Sequence, residues 1–297
     1  MRDDARRGPI TPTRAGYAEV MTTIPTLTLN DGHTIPQIGF GTFQVPPERT
    51  AETVRAALDA GYRHLDTAEM YGNERGVGEG VRASGLAREE VFITSKLAYG
   101  AHAPDDARRA FDGTIEALGF DYVDLFLIHW PLPRAQADFV DTWRVLESFV
   151  VDGRARSIGV SNFQVAHLER LAAETGTVPA VNQIEVHPLH TNDEVRAYDT
   201  EHGILTEAWS PLAQGAALME PTVTGIAERV GRTPAQVVMR WHLQRGDIVF
   251  PKTMSPARMR ENLGVLDFEL TQADQAALTG LDQGEAGRTG PHPEEVN

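Results

Sequence analysis

Along most of this chain, short apolar runs alternate with longer stretches in which apolar residues return every three or four positions. Runs of the first kind predict buried strands and stretches of the second kind predict amphipathic helices. Strands are expected at 38–42, 64–67, 91–96, 123–129, 157–161, 181–186, 205–210 and 248–251, and helices near 48–60, 74–84, 104–118, 138–152, 165–175, 193–202 and 234–245. Thr233-Pro234 opens the last of these helices with a cap and a proline at the first helical position, and Asn162 stands as a cap before 163–173. Ahead of them, "TLTLNDGHTIPQIG" (26–39) sets an Asn-Asp-Gly turn between two alternating runs, a hairpin signal. Strands that are each followed by a helix-length connection imply parallel βαβ units. Eight such units close into an α/β fold, a (β/α)8 TIM barrel, with the N-terminal hairpin capping the barrel bottom. A doubly wound open sheet is the alternative.

Composition narrows the function. The 297 residues are 41% hydrophobic, enough for one large core, so 24–297 is expected to form a single domain. The formal net charge is −15. A uniformly acidic surface repels phosphate backbones, so nucleic acid is not an expected partner. There is no cysteine, which removes disulfides and thiolate metal sites, and no metal is expected. No apolar stretch approaches the ~18 residues that span a bilayer, so no membrane is expected either. Residues 1–20 are polar and lack the apolar stretch of a signal peptide; 1–23 are expected to be a disordered extension, with Met21 a candidate start. A cytoplasmic protein fits these features.

Several strands end in a residue with chemistry. "YRHLD" ends in Asp66, "VFITSK" in Lys96, "DLFLIH" in His129, "SIGVSN" in Ser161 and Asn162, and "TEAWS" in Trp209 and Ser210; "AVNQIEVH" carries Asn182 and Gln183 early and His187 late. In a barrel of this type catalytic groups gather at the C-terminal strand ends. Singly, each has a structural explanation: a turn acid, an ion-pair lysine, a core histidine. "HLDTAEMYGNE" (64–74) adds a phenol, Tyr71, five residues after Asp66. A tyrosine with a pKa near ~10 is a poor proton donor at neutral pH. An adjacent ammonium lowers that value, a carboxylate keeps the ammonium charged and in place, and an imidazole can orient a carbonyl. Asp66 would hold Lys96, Lys96 would tune Tyr71, and Tyr71 would protonate an oxygen gaining negative charge.

These residues carry a family resemblance. "GYRHLDTAEMYGNERGVG" (61–78), "DYVDLFLIHWP" (121–131), "SIGVSNF" (157–163), "VNQIEVHP" (181–188) and "PKTMSPARMRENL" (251–263) occur in order, and from about residue 24 to 293 the chain resembles the aldo-keto reductases. The resemblance implies a (β/α)8 barrel that reduces carbonyls with NADPH, its catalytic tetrad at Asp66, Tyr71, Lys96 and His129 and its general acid at Tyr71. It further implies that Ser161, Asn162 and Gln183 hold the nicotinamide carboxamide and that Trp209 stacks on the nicotinamide ring. Thr42, Asp66, Ser210 and Leu212 would be further cofactor contacts, and Phe43, Tyr71, His129 and Trp130 would face the substrate. Tryptophan at 209, with "HW" at 129–130, resembles the bacterial branch containing 2,5-diketo-D-gluconate reductases. That branch suggests keto-sugar acids, α-dicarbonyls or other aldehydes as substrates. A monomer is the family expectation.

The cofactor site has its own pattern. "GVGEG" (76–80) lies inside a predicted helix, so its glycines do not read as a phosphate loop. After the last strand, Lys252, Thr253 and Arg258 place two cations and a hydroxyl ahead of a helix N-terminus, an anion-binding arrangement. By resemblance they would take the adenosine 2′-phosphate, with Glu261 and Asn262 reaching the adenine. Two rivals stand beside the reductase. A Schiff-base aldolase could use Lys96, but needs a depressed lysine pKa that Asp66 opposes. A non-catalytic nucleotide sensor would not need the intact tetrad. The C-terminal "GEAGRTGPHPEEVN" (284–297), rich in Gly and Pro, is expected to fold over the barrel mouth.

Overall fold

A computed structural model describes residues 24–296; the expected extension at 1–23 lies outside them. The Asn-Asp-Gly turn joins β1 (Thr26–Thr28) to β2 (Thr34–Pro36) in an antiparallel hairpin. Eight parallel strands follow: β3 (Phe40–Gly41), β4 (His64–Asp66), β5 (Phe92–Leu97), β6 (Val123–Ile128), β7 (Ala155–Ser161), β8 (Val181–Glu185), β9 (Leu205–Trp209) and β10 (Ile248–Val249). They are ordered sequentially, and an Ile38–Val249 bridge with Gly39 N donating to Val249 O at 2.8 Å closes β3 onto β10. The chain is therefore a closed barrel and not the open sheet. Outside it lie α1 (Pro47–Ala60), α2 (Glu74–Ser84), α3 (Pro104–Leu118), α4 (Phe139–Val151), α5 (Val165–Glu174), α6 (Asp193–Glu201), α7 (Pro221–Val230), α8 (Pro234–Gln244), α9 (Pro256–Leu263) and α10 (Gln272–Thr279).

Alternation along β6 shows what builds the two layers. Phe126 points outward and meets the Phe111 ring of α3 at 4.7 Å and the Phe149 ring of α4 at 6.2 Å. Leu125 and Leu127 point inward and form a separate apolar cluster with Leu29 and Ile35 of the hairpin and with Val181 and Ile248. The hairpin thus plugs the bottom of the barrel, and Asn30 Nδ2 donating to Pro179 O at 2.9 Å fixes it there. The same parity carries the next inward position after Leu127 to His129, at the mouth.

The expected helix near 74–84 forms as α2, and its glycines have a packing role. A Cβ on Gly78 would lie 1.8 Å from Leu118 O, and one on Gly76 would lie 2.6 Å from Thr50 Cβ of α1. "GVGEG" therefore brings three helices close together. Thr233 caps α8 through Gln236 N, with Pro234 next, as expected. Asn162 does not cap α5: it sits in the left-handed region at φ 66°, and Gln164 takes the cap position. The pattern left α7 and α10 unassigned. No helix among the described residues is long and apolar enough to cross a membrane.

Candidate active site

The parity of the strands assembles the site. Register pairs Asp66 with Thr94, Lys96 with Leu127, Ser161 with Gln183 and Gln183 with Glu207. Asp66, Lys96, Gln183 and Glu207 therefore all face the barrel axis, and the tetrad residues that are far apart in sequence come together. Lys96 is fully buried and its Nζ donates to Asp66 Oδ1 and Oδ2, both at 2.8 Å, and to Thr67 O at 2.8 Å. Its remaining contact is Tyr71 Oη at 3.4 Å.

Tyr71 owes its position to a 3-10 turn, Glu69–Tyr71, closed by Gly72 in the left-handed conformation at φ 64°. Asn73 behind it is buried; its Nδ2 donates to Thr42 O at 2.9 Å and Val45 O at 3.2 Å, and its Oδ1 accepts from Thr67 Oγ1 at 2.9 Å. This stitches the Tyr71 loop to the loop after β3. His129 meets the Tyr71 ring edge-on at 6.0 Å.

The electrostatics follow from burial. Desolvation would lower the Lys96 ammonium, but Asp66 and Tyr71 outweigh it and Lys96 lies above its ordinary value. His129 is held well below its ordinary value by burial and then by the Lys96 charge, so it is a neutral imidazole. Burial raises the Tyr71 phenol more than Lys96 lowers it, and the net direction is upward. The expected tuning by Lys96 is thus a partial offset, not a net depression. A phenol that keeps its proton at neutral pH can still donate it where an oxyanion develops.

Below the tetrad lies a second buried carboxyl that the strand-end pattern did not single out. Gln183 Nε2 donates to Asp66 Oδ2 at 2.9 Å and to Glu207 Oε2 at 2.7 Å. Burial, and then the charge on Asp66, push the Glu207 carboxyl up to about 8, and burial lowers the adjacent His64 to about 3. Both are neutral near pH 7. The barrel centre therefore holds one ammonium and one carboxylate.

A family model described as "Aldo/keto reductase family" matches residues 37–283. An "Aldo-keto reductase" of Mycobacterium sp. (strain JLS) is 50% identical over 273 residues, covering 92% of this chain and 98% of its own. This chain belongs to the aldo/keto reductase family. "Methylglyoxal reductase DkgA" of Yersinia pestis is 46% identical over 277 residues, covering 92% of this chain and 98% of its own. Among solved structures, a variant of Gox0644 in complex with NADPH is 43% identical with a TM-score of 0.89, covering 93% of this chain and 99% of its own.

In this aldo/keto reductase the expected carboxamide-binding residues lie together, but their amides are partly committed. Asn162 Nδ2 donates to His129 O and Ser161 Oγ, both at 3.0 Å, and its Oδ1 accepts from Trp209 Nε1 at 2.8 Å. Ser161 Oγ donates to Gln183 O at 2.8 Å. Asn162 thus ties the His129 strand end to the Trp209 ring, which explains the left-handed backbone at a residue type that tolerates it. Gln183 bonds through Nε2, and no described residue donates to its Oε1, which leaves that oxygen as a candidate acceptor for a ligand amide. Thr42 donates through Oγ1 to Asp66 O at 3.0 Å, behind the site. Ser210 is left-handed at φ 48° and Leu212 is half-buried, both on the chain leaving β9.

The expected phosphate residues lie between β10 and the first turn of α9. Ser255 caps it through Arg258 N. Lys252 and Arg258 are exposed, and neither pairs with an acid among the described residues. Two uncommitted cations beside a helix N-terminus are a donor set that fits a phosphate. Glu261 is exposed on the same helix, whereas Asn262 is buried, which limits its freedom to reach a ligand; the nearby Tyr62 Oη donates to Met259 O at 3.2 Å. The substrate side is aromatic: Phe43 is 55% exposed and 5.1 Å from the Tyr71 ring, and Trp130 is buried. Tyr99, which the sequence pattern did not mark, bridges His129 at 5.6 Å and Trp130 at 6.3 Å.

Glu207 gives a pH-dependent stability. Between its ordinary value of 4.5 and about 8, the folded protein keeps a proton that the unfolded chain has released. This contribution is full below the lower value and is lost as pH rises through the upper one. Glu207→Gln removes the ionisation, so the melting temperature of the variant relative to wild type should climb between about pH 5 and about pH 8. Melting curves of both proteins at the two pH values check this, and an offset that does not change with pH contradicts it.

Proposed function

We propose that this chain reduces small aldehydes and α-dicarbonyls of the methylglyoxal type to alcohols with NADPH, Tyr71 acting as the general acid. The observation that carries the proposal is the Tyr71 Oη lying 3.4 Å from the Nζ of a fully buried Lys96. When bound, the nicotinamide supplies the hydride that goes to the carbonyl carbon. The carbonyl oxygen, gaining charge, takes the proton from Tyr71 Oη. Lys96 then lies beside the phenolate oxygen and stabilises it, and Asp66 keeps Lys96 charged and pointed at it. His129, being neutral, can donate one hydrogen bond to the carbonyl without carrying a charge of its own. The phenol regains its proton from solvent before the next turnover.

Two findings support the substrate class. The walls set by Phe43, Tyr99 and Trp130 are aromatic and suit a small, weakly polar carbonyl better than a polyhydroxylated sugar acid. Relatives in Yersinia pestis and Salmonella typhimurium carry the name methylglyoxal reductase. For the cofactor, support comes from Lys252 and Arg258, and from similar structures holding NADPH or, in Bombyx mori aldo-keto reductase, NADP.

Tyr71→Phe should cut reduction of methylglyoxal by at least ~10²-fold, the scale of general acid catalysis, while NADPH affinity changes little. Steady-state kinetics and a cofactor titration check both parts, and near-normal turnover refutes the role. In a parallel screen, keto-sugar acids reduced faster than α-dicarbonyls would overturn the substrate class.

Cofactor choice rests on the phosphate end. Each charge-assisted hydrogen bond to the 2′-phosphate is worth roughly 1.5–3 kcal/mol. NADPH should therefore bind at least about tenfold more tightly than NADH, and Arg258→Ala should erode that ratio through NADPH alone. Fluorescence titration of both cofactors measures it. Equal affinities in the wild type contradict the assignment, and an unchanged ratio in the variant moves the phosphate away from Arg258.

A further inference from the structure

We propose that residues 282–294 form a strap that fixes the Trp209 indole from outside through Gly290, and that Glu185 is the positioning residue that latches the strap. The inference rests on the proposed NADPH-dependent reaction and on the stacking of Trp209 against the nicotinamide that the family resemblance implies.

Glu185 and Trp209 are the last residues of β8 and β9 and are paired in register. The Glu185 carboxylate is buried and takes almost all its donors from the strap. Its Oε1 accepts from Thr289 N at 2.6 Å and Thr289 Oγ1 at 2.5 Å, and its Oε2 accepts from Gly290 N at 3.1 Å. His187 Nε2 shares Oε1 at 3.0 Å, and Arg288 Nη1 lies 3.8 Å from Oε2. A carboxylate with no access to water is costly unless its lone pairs are satisfied, so this residue is stable only with the strap in place. Burial alone would raise its pKa; the donors from His187, Thr289 and Gly290 win and hold it at about 2.

The rest of the strap is tied to the loop after β8 and to α5. Gln283 N donates to Leu189 O at 3.0 Å, Thr191 N donates to Asp282 Oδ1 at 2.9 Å, and His190 Nδ1 bonds Gly284 O at 2.9 Å. Glu294 pairs with His167 at 3.0 Å. The approach is close enough that a Cβ on Gly287 would lie 1.7 Å from Leu189 O.

At Gly290 the strap meets the site. A Cβ there would lie 2.4 Å from Trp209 Cη2 and 3.1 Å from Cζ3, so the bare backbone packs on the six-membered edge of the indole. The opposite edge is held by Trp209 Nε1 donating to Asn162 Oδ1 at 2.8 Å. The ring is therefore clamped at both ends, with Glu185 fixing one jaw. A stacking ring held this way presents its face to the nicotinamide without losing ring freedom on binding, which favours both affinity and a productive angle for hydride transfer.

The test is a double-mutant cycle between Gly290→Ala and Trp209→Ala, read by calorimetric NADPH affinity and by single-turnover NADPH oxidation with methylglyoxal. With Trp209 present, Gly290→Ala should slow hydride transfer by about tenfold. In the Trp209→Ala background it should change the rate by less than about twofold, because the partner it displaces is gone. Thr289→Val, which removes one donor to Glu185 and leaves the chain able to fold, should show the same coupling more weakly. Equal effects in both backgrounds mean the strap is only structural and overturn the proposal, as does a Gly290→Ala enzyme with the wild-type rate. If Trp209→Ala alone weakens NADPH while the strap variants do nothing, stacking stands and the strap fails. If Trp209→Ala alone changes nothing, the stacking fails and the strap loses its role with it.

Discussion

The buried ion pair of Asp66 and Lys96 is the constraint around which this site is arranged. Removing an ammonium and a carboxylate from water costs several kcal/mol per ion, and the attraction between them offsets this only when the geometry is good and the remaining donors and acceptors are used. Here both Asp66 oxygens take Lys96 Nζ at 2.8 Å, Thr67 O takes it too, and Gln183 satisfies Asp66 from the other side. The surrounding titratable groups stay out of the balance: His64, His129 and Glu207 are neutral near pH 7 because burial opposes their charged forms. The ammonium thus has one open direction, toward Tyr71 Oη. A proton leaving the phenol leaves a negative charge beside a positive one that is already fixed.

Fold and chemistry are joined through strand parity. The inward positions that plug the barrel bottom with Leu125, Leu127 and Ile248 against the hairpin become, two or four residues further along the strands, the polar groups of the mouth. Apolar filling at one end and ions at the other share the same strands. The long-range charge works against cofactor binding, since a net charge of −15 repels a polyphosphate. On the proposed reading, affinity is then local, at Lys252 and Arg258 and at Gln183 and Trp209.

Much of this was legible in the sequence because the signals were periodic. Eight apolar runs separated by helix-length segments define the barrel, and a polar residue ending an apolar run marks Asp66, Lys96 and His129. Other features were hidden for physical reasons. Glu207 interrupts an apolar strand in its interior, a visible oddity in "TEAWS", but its neutrality depends on complete burial and on Asp66 across the barrel. Asn162 looked like a helix cap because Asn caps helices; tertiary bonds to His129 and Trp209 instead hold it in a left-handed conformation. Tyr99 opens a short 3-10 turn and Asn73 stands at the N-cap position of α2, places too short for a periodicity to mark them. The Glu185 latch joins residues about a hundred positions apart, a pairing that no local pattern carries.

The central claim is that the charge of Lys96, held by Asp66, makes Tyr71 an effective acid. The direct measurement is the pH dependence of single-turnover carbonyl reduction in Lys96→Met, a change that keeps the side-chain length and removes the charge. The rate should fall by at least ~10²-fold, and the ionisation assigned to Tyr71 should move to higher pH because its only lowering partner of full charge is gone. The melting temperature should fall as well, since breaking a buried pair costs ~3–5 kcal/mol. A Lys96→Met enzyme that works near the wild-type rate with an unshifted profile would contradict the claim.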